Sequence, residues 1–284
     1  MIWPAFLNLW KYCALINSTR PITTGRGTRI LAVANQKGGV GKTTTTINLG
    51  TALAAVKQKV LIIDLDPQGN ASTGLGIPRN ERQINSYKLL MGEAGILDAT
   101  SETEIPGLDI VPSAPDLYGA EVELVQATRR EYRLREALTQ CIGAYDYILI
   151  DCPPALGFLT INALVAAQAV LVPLQCEFYA LEGISQLVKT IERVRAAFNP
   201  GLEIQGIVLT MHDKRNNLSD LVANDVREYF GDKVYDTVIP RNVRVSEAPS
   251  HGRPVLLYDI NCPGSKAYLN LAGEVIHRER QLSA

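Results

Sequence analysis

Histidine is scarce in this chain, with three in 284 residues and none at metal-ligand spacing, which argues against a transition-metal site. The five cysteines, Cys13, Cys141, Cys152, Cys176 and Cys262, are scattered and form no C-x-x-C pair, so neither a zinc site nor a disulfide framework is indicated. A reducing cytosol is the simplest setting. An excess of one charge is missing too. With 28 Lys and Arg against 29 Asp and Glu the net charge is −1, so any nucleic-acid contact has to come from a local patch. There is no repeat, low-complexity tract or linker. What is present, 46% hydrophobic and 20% charged residues, is the composition of a globular protein long enough for one large α/β domain.

Acidic residues are absent before Asp64, and the first 28 residues stand apart from the rest. "MIWPAFLNLWKYCALI" has no basic residue before Lys11 and no small-residue cleavage site after it. It is shorter than the roughly 20 residues that span a bilayer. Trp3, Leu7, Trp10 and Ala14 fall at helical spacing, compatible with a weak amphipathic helix on a membrane surface. The reading adopted is a poorly ordered extension, residues 1–28, preceding a single domain over 29–284. A transit peptide ranks last, because arginine is sparse.

From Arg29 onward, short aliphatic runs alternate with longer helical stretches. The runs "RILAVAN", "KVLIIDLD", "LDIVPS", "YDYILIDCPP", "AVLVPLQC", "IQGIVLTM" and "KVYDTVIP" are near-continuously apolar, as strands buried on both faces must be. Between them, "TTTTINLGTALAAVK", "YGAEVELVQATRREYRLREALTQ", "LEGISQLVKTIERVRAAF" and "LSDLVANDVREYF" carry helical spacing. The alternation predicts a doubly wound α/β fold with a mainly parallel sheet flanked by helices.

After the first run comes "NQKGGVGKTTTT", Asn35 to Thr46. It has the ending of a phosphate-binding loop, G-x-x-x-x-G-K-[ST], but Gln36 stands where the first glycine belongs, and a second lysine, Lys37, precedes Gly38 and Gly39. A glycine-rich turn between a buried strand and a helix presents backbone N–H groups and the positive end of the helix dipole to an anion. The predicted phosphate cradle is Lys37, Gly38, Gly39, Val40, Gly41, Lys42, Thr43 and Thr44. Lys42 reaches β and γ phosphates and Thr43 offers a hydroxyl to Mg²⁺. Two further strand-end runs supply carboxylates, Asp64 and Asp66 in "LIIDLDPQGN" and Asp151 in "YILIDCPP". In a doubly wound sheet these converge on the edge that carries the loop, which favours a magnesium-nucleotide site with Thr43 and Asp151 near the metal.

Taken in order, "KGGVGKTT", "DLDPQGN", "ILIDCPP", "LTMHDKRNNL" and "VIPRNVRVSEAPSHGRPV" resemble the ParA/Soj group of chromosome and plasmid partitioning ATPases, within the deviant Walker A superfamily that also contains MinD. The resemblance runs from about residue 29 to about residue 275. It implies an Mg²⁺-dependent ATPase that closes as a sandwich dimer on two ATP molecules. Lys37 is then the signature lysine that crosses to the partner's nucleotide, a second cation for charge accumulating during phosphoryl transfer. Asp66 matches the residue that orients the attacking water, with Asp64 supporting the magnesium shell, and Pro240 and Asn242 match positions lining the base. Arg215 and Arg244 match arginines that hold double-stranded DNA without sequence preference. Between Lys189 and Arg253 ten basic residues face nine acidic ones, so that region has no net positive excess. The resemblance also implies a ParB-like centromere-binding partner that stimulates hydrolysis, and a cytoplasmic, nucleoid-associated protein.

Two rivals share the loop. A MinD-like positioning ATPase acts on membranes and ends in a basic amphipathic helix, whereas "AYLNLAGEVIHRERQLSA" reads as a closing helix with a short polar tail, so no stable membrane association is expected. A redox carrier resembling the nitrogenase iron protein needs cluster cysteines. Cys152 and Cys176 lie near strand ends but do not stand where that family's ligands do.

Overall fold

The computed structural model describes residues 27–281. The readings of residues 1–26 concern residues outside that range. Thr28, assigned above to the extension, is buried: its hydroxyl accepts from Gly143 N at 2.7 Å and its carbonyl from Gln168 Nε2 at 3.2 Å. The packed chain therefore includes it.

The strands are β1 (Arg29–Val33), β2 (Val60–Asp64), β3 (Ser101–Glu102), β4 (Leu108–Val111), β5 (Tyr147–Asp151), β6 (Ala169–Gln175), β7 (Glu203–His212) and β8 (Val234–Pro240). They form one sheet in the order β3-β4-β2-β5-β1-β6-β7-β8. Each of the seven predicted runs supplies a strand, and those seven pair in parallel. The eighth, β3, pairs antiparallel at the edge. It is two polar residues long and carries no periodicity to read.

Helices of seven residues or more are α1 (Lys42–Ala55), α2 (Leu117–Glu123), α3 (Phe158–Ala166), α4 (Ala180–Ala197), α5 (Asn217–Phe230) and α6 (Pro263–Gln281). Period-two alternation along the strands divides the core into two layers. Ile30, Ala32, Ile148 and Ile150 face α2, α3, α4 and α5, while Leu31, Val33, Tyr147 and Leu149 face α1 and α6. Each fully buried Leu or Ile contributes about 1.5–3 kcal/mol, so both faces of the sheet drive folding. The C-terminal α6 is spent on this core: Tyr268, Leu271, Ala272 and Val275 are buried in the α1 layer. Among the described residues no helix is long and apolar enough to cross a membrane.

One predicted helix is broken. "YGAEVELVQATRREYRLREALTQ" forms α2, two 3₁₀ turns, a six-residue helix, Arg133–Leu138, and the start of a third 3₁₀ turn, Thr139–Cys141. Arg129 takes φ +53°, which ends helical geometry. The break is held from outside, since Asn162 of α3 accepts from Leu134 N and donates to the Arg130 carbonyl. A tertiary contact overrides the helical propensity of the segment.

Candidate nucleotide site

Parallel register sets the site. Asp151, at the end of central β5, pairs with Val33 of β1 on one side and Asp64 of β2 on the other. The loop after β1 thus begins beside both carboxylates. Asn35 fixes its root, donating to the Pro173 carbonyl at 2.8 Å and accepting from Lys37 N at 3.0 Å. Gln36, the residue that departs from the common loop, donates to Thr190 Oγ1 of α4 at 2.9 Å. It ties the loop to its neighbour where a glycine would not.

The backbone turns at Gly39 (φ +76°) and Gly41 (φ +86°), conformations that favour glycine. Gly38, read above as part of the turn, has no positive φ. Gly41 opens α1 with no side-chain cap, so the first N–H groups of a 14-residue helix face the cleft. Lys42 is buried and its ammonium donates to the Lys37 carbonyl at 2.9 Å. Burial lowers its pKa, against the opposing pull of Asp151 first and then Cys152 and Asp66.

Around this loop lies a cleft of about 680 Å³, lined by Gly38, Gly39, Gly41, Lys42, Thr43 and Thr44 on one side. Asp66 and Gln68 follow β2, and Pro153 to Gly157 follow β5. A second cavity of about 220 Å³ shares Gly41, Thr44 and Met211 with it, and its far wall includes Pro240 and Asn242. The structure therefore brings the predicted base positions next to the phosphate loop. Asn242 has one capability already used, because its side-chain oxygen accepts from Arg244 N as the cap of the short helix Val243–Glu247.

The three acids differ. Asp66 lines the cleft, with Oδ1 accepting from Gln68 N at 3.0 Å. Asp64 and Asp151 lie fully buried beneath it. Both oxygens of Asp64 are engaged, Oδ2 by Ser72 N and Ser72 Oγ at 2.9 and 2.7 Å and Oδ1 by Asp66 N at 3.2 Å. Asp151 Oδ1 accepts from Thr46 Oγ1 at 3.2 Å, but Oδ2 has no hydrogen-bond partner among the described residues. Burial first, and the neighbouring Asp64 second, push Asp151 well above the ordinary carboxylate range. Burial likewise pushes Asp64 up to about 6 against its Ser72 hydrogen bonds. An orphaned buried carboxylate oxygen close behind the phosphate loop fits a hydrated magnesium ion. Among the described residues no three His, Cys, Asp or Glu side chains cluster to hold a metal, so the ion would draw on Thr43, phosphate and water as well.

Lys37 does not line its own cleft. Its ammonium pairs with Glu177, in the connection between β6 and α4, and lies 6.0 Å from the centre of the Tyr179 ring. Arg215 and Arg244 stand after the adjacent strands β7 and β8, whose ends are joined by Arg241 N donating to the His212 carbonyl at 2.9 Å. Arg215 grips Asp213 with two bonds, Nε to Oδ1 at 3.0 Å and NH2 to Oδ2 at 2.8 Å. Arg244 pairs with Glu247 at 3.0 Å and Asp259 at 3.6 Å. Cys152 and Cys176 are buried and line neither cavity, and burial raises both thiols, Cys176 to about 11, so they pack as small apolar side chains.

Sequence reasoning missed several members of the site. Met211, between the two cavities, holds φ +52°, a strained geometry for a side chain of its size. Thr210 Oγ1 donates to the Val40 carbonyl at 2.8 Å and props the loop from β7. Tyr118 of α2 lines the cleft and receives a hydrogen bond from Gln68. Thr210 and Met211 fall within "LTMHDKRNNL", but only the fold shows what they do there, and Tyr118 belongs to no spacing pattern.

Comparison with known proteins agrees with this geometry. The family model for an AAA domain matches residues 28–204. The chain is 66% identical over 258 residues to the chromosome partitioning protein ParA of Caulobacter vibrioides, covering 90% of this chain and 97% of that one. It is 53% identical to the sporulation initiation inhibitor protein Soj of Bacillus subtilis, over 87% of this chain and 98% of that one. A cobyrinic acid a,c-diamide synthase from Mycobacterium smegmatis, solved with ADP and magnesium, superposes with a TM-score of 0.78 at 37% identity, covering 89% of this chain and 96% of that one. The chain belongs to the ParA/Soj family of chromosome-partitioning ATPases.

Proposed function

We propose that this chain is an ATP-driven DNA-segregation switch, with one ATPase domain that begins at Thr28. It binds ATP with Mg²⁺, closes as a sandwich dimer, holds nucleoid DNA without sequence preference and lets go on hydrolysis. The observation that carries this reading is the division of labour between the two lysines. Lys42 is buried at the base of its own loop, whereas Lys37, on the same loop, points out of its cleft toward Glu177. A cation beside a phosphate loop but outside its cavity is suited to a nucleotide held by a second subunit.

Each remaining residue has a chemical task. The open N-terminus of α1, with Gly39 and Gly41, cradles phosphate oxygens, and Lys42 neutralises them. Magnesium, when bound with ATP, supplies further neutralisation of phosphate charge. Thr43 and Asp151 would hold it, with Asp64 supporting from behind through the Asp66 amide. Asp66, at the cleft wall, orients a water for attack on the γ phosphate. Pro240 and Asn242 border the base. Arg215 and Arg244 meet DNA phosphates, and dimerisation doubles both contacts on one duplex. A ParB-like partner raises a slow intrinsic turnover.

Sedimentation of the purified chain with ATP, ADP or neither, each with and without a DNA duplex, tests the reading. An ATP-specific dimer that alone retains DNA is expected. A monomer in every nucleotide state, or lipid-vesicle binding without DNA binding, overturns it.

A further inference from the structure

Arg82 lines neither nucleotide cavity, yet at 4% exposure it is among the most buried charged residues of the described chain. All five of its N–H groups are directed at neutral oxygens. Nε donates to the Ile77 carbonyl at 3.2 Å, NH2 to the same carbonyl at 2.6 Å and to Thr73 Oγ1 at 2.9 Å. NH1 bridges the carbonyls of Gly69 and Ser113, each at 3.2 Å. Burying a cation among neutral acceptors costs hydration, and no carboxylate pairs with the guanidinium directly; Asp64 favours its charge only from a distance. An apolar side chain would fill the space without that penalty. What only a guanidinium supplies is a rigid planar fork that fixes several chain segments at set angles.

The segments it grips lead to Asp66. The Asp66 carbonyl accepts from two groups, Gly69 N at 2.8 Å and Ser113 Oγ at 2.7 Å. Gly69 and Ser113 are the same two residues whose carbonyls share Arg82 NH1. Ser113 N also donates to Ser72 Oγ at 2.9 Å, and Ser72 Oγ donates to Asp64. Gly69 has φ +63°, and a Cβ built there would stand 2.5 Å from Arg82 NH1 and 2.9 Å from the Ser113 carbonyl. The turn and the guanidinium are fitted to each other with no room between them.

We propose that Arg82 is a positioning residue for Asp66: by clamping Gly69 and Ser113 it fixes the turn that aims the Asp66 carboxylate into the nucleotide cleft. The inference rests on the reading of Asp66 as the residue that orients the attacking water. A carboxylate displaced by about 1 Å loses on the order of a hundredfold in rate, while phosphate contacts made by a different loop are untouched. Loss of the clamp therefore lowers kcat and spares nucleotide affinity.

The test measures steady-state ATP hydrolysis, binding of a fluorescent ATP analogue and thermal unfolding on the full chain and on Arg82→Met, Arg82→Lys, Ser113→Ala and Asp66→Ala. Arg82→Met is expected to lose at least about tenfold in kcat with affinity within about threefold of wild type. Arg82→Lys, which keeps a charge and three donors, recovers part of that loss, and Ser113→Ala lowers kcat in the same direction. Should Arg82→Met not fold, Ser113→Ala decides, because it removes one link to Asp66 and leaves the guanidinium in place. Wild-type kcat in folded Arg82→Met or in Ser113→Ala overturns the inference, as does an equal fall of kcat and affinity. If Asp66→Ala hydrolyses ATP normally, the reading of Asp66 falls and Arg82 with it. If Asp66→Ala is inactive while the other variants are unaffected, only the role of Arg82 falls.

Discussion

Lys37 and Glu177 form an ion pair that holds the second lysine of the phosphate loop against the start of α4 and away from the loop's own cleft. Both side chains are about one-third exposed, at 37% and 34%, so the pair sits in partial contact with water. A pair of that kind is worth about 1 kcal/mol or less. It restrains Lys37 without committing it. Glu177→Ala should therefore shift the ATP-dependent monomer–dimer equilibrium toward dimer, by up to about fivefold. Lys37→Ala should nearly abolish ATP hydrolysis. Sedimentation across a concentration series, paired with phosphate release, reads both. An unchanged dimer constant in Glu177→Ala would mean that the pair does not hold Lys37 back.

Asp66→Ala should lower ATP hydrolysis by about a hundredfold or more, the scale on which a positioned carboxylate contributes. ATP-dependent dimerisation should persist, because Asp66 takes no part in the loop or in the Lys37 contact. Phosphate release and sedimentation on the same preparation separate the two effects. A fully active variant refutes the assignment.

The strands and the phosphate loop were legible because their signals are local. An aliphatic run buried on both faces declares itself, and so does a glycine-rich turn before a lysine. The helical stretch around Arg129 was misread because Asn162, from a different helix, supplies the hydrogen bonds at its break. Asp64 and Asp151 both close aliphatic strands, and the sequence does not show what each oxygen meets. Ser72 and the Asp66 amide engage both oxygens of Asp64, whereas Thr46 engages one oxygen of Asp151 and leaves the other without a hydrogen bond. Tyr118 reaches the site through tertiary packing alone, and the tasks of Thr210 and Met211, inside "LTMHDKRNNL", are visible only in the folded chain.

Asp151→Asn offers a stability test with a defined sign. Burial and Asp64 raise the folded-state pKa of Asp151 above its unfolded value, so the folded chain binds a proton that the unfolded chain releases. Stability then falls as pH rises through that window, which opens near the ordinary carboxylate value of about 4. For Asp64 it closes near 6. Asparagine at 151 keeps an acceptor for Thr46 Oγ1 and removes the buried charge. Without nucleotide, the variant should be more stable than wild type at pH 7.5, by about 2–4 °C in Tm for each kcal/mol gained, and lose that advantage toward pH 4.5. Thermal unfolding in a pH series checks it. A variant less stable than wild type at neutral pH would show that the buried carboxylate is compensated.

Deletion of residues 1–26 should leave ATP hydrolysis and DNA retention unchanged. Extending the deletion through Thr28 removes its hydrogen bonds to Gly143 and Gln168 and should cost about 1 kcal/mol for each. Two truncations compared by thermal unfolding and phosphate release resolve the boundary. Loss of activity in the shorter deletion would give the extension a role.

DNA retention should turn on the carboxylates that occupy the two arginines. Arg215 is held by Asp213 in a two-bond grip, and that hydrogen bonding drives the Asp213 carboxyl well below its usual range. Arg244 is shared between Glu247 and Asp259. If the two arginines meet DNA as proposed, a phosphate has to displace a carboxylate at each, and binding is weaker than two unpaired arginines would give. Changing Arg215 and Arg244 together to Ala should cut DNA retention and flatten the salt dependence, by about 0.9 in the logarithmic slope for each phosphate that is no longer neutralised. Asp213→Asn should do the reverse, strengthening retention at a given salt, because an amide holds the guanidinium less firmly than a carboxylate does. Retention assays from low to physiological salt, with ATP present throughout, measure both. Weaker binding in Asp213→Asn would mean that Asp213 presents Arg215 to DNA and does not compete for it.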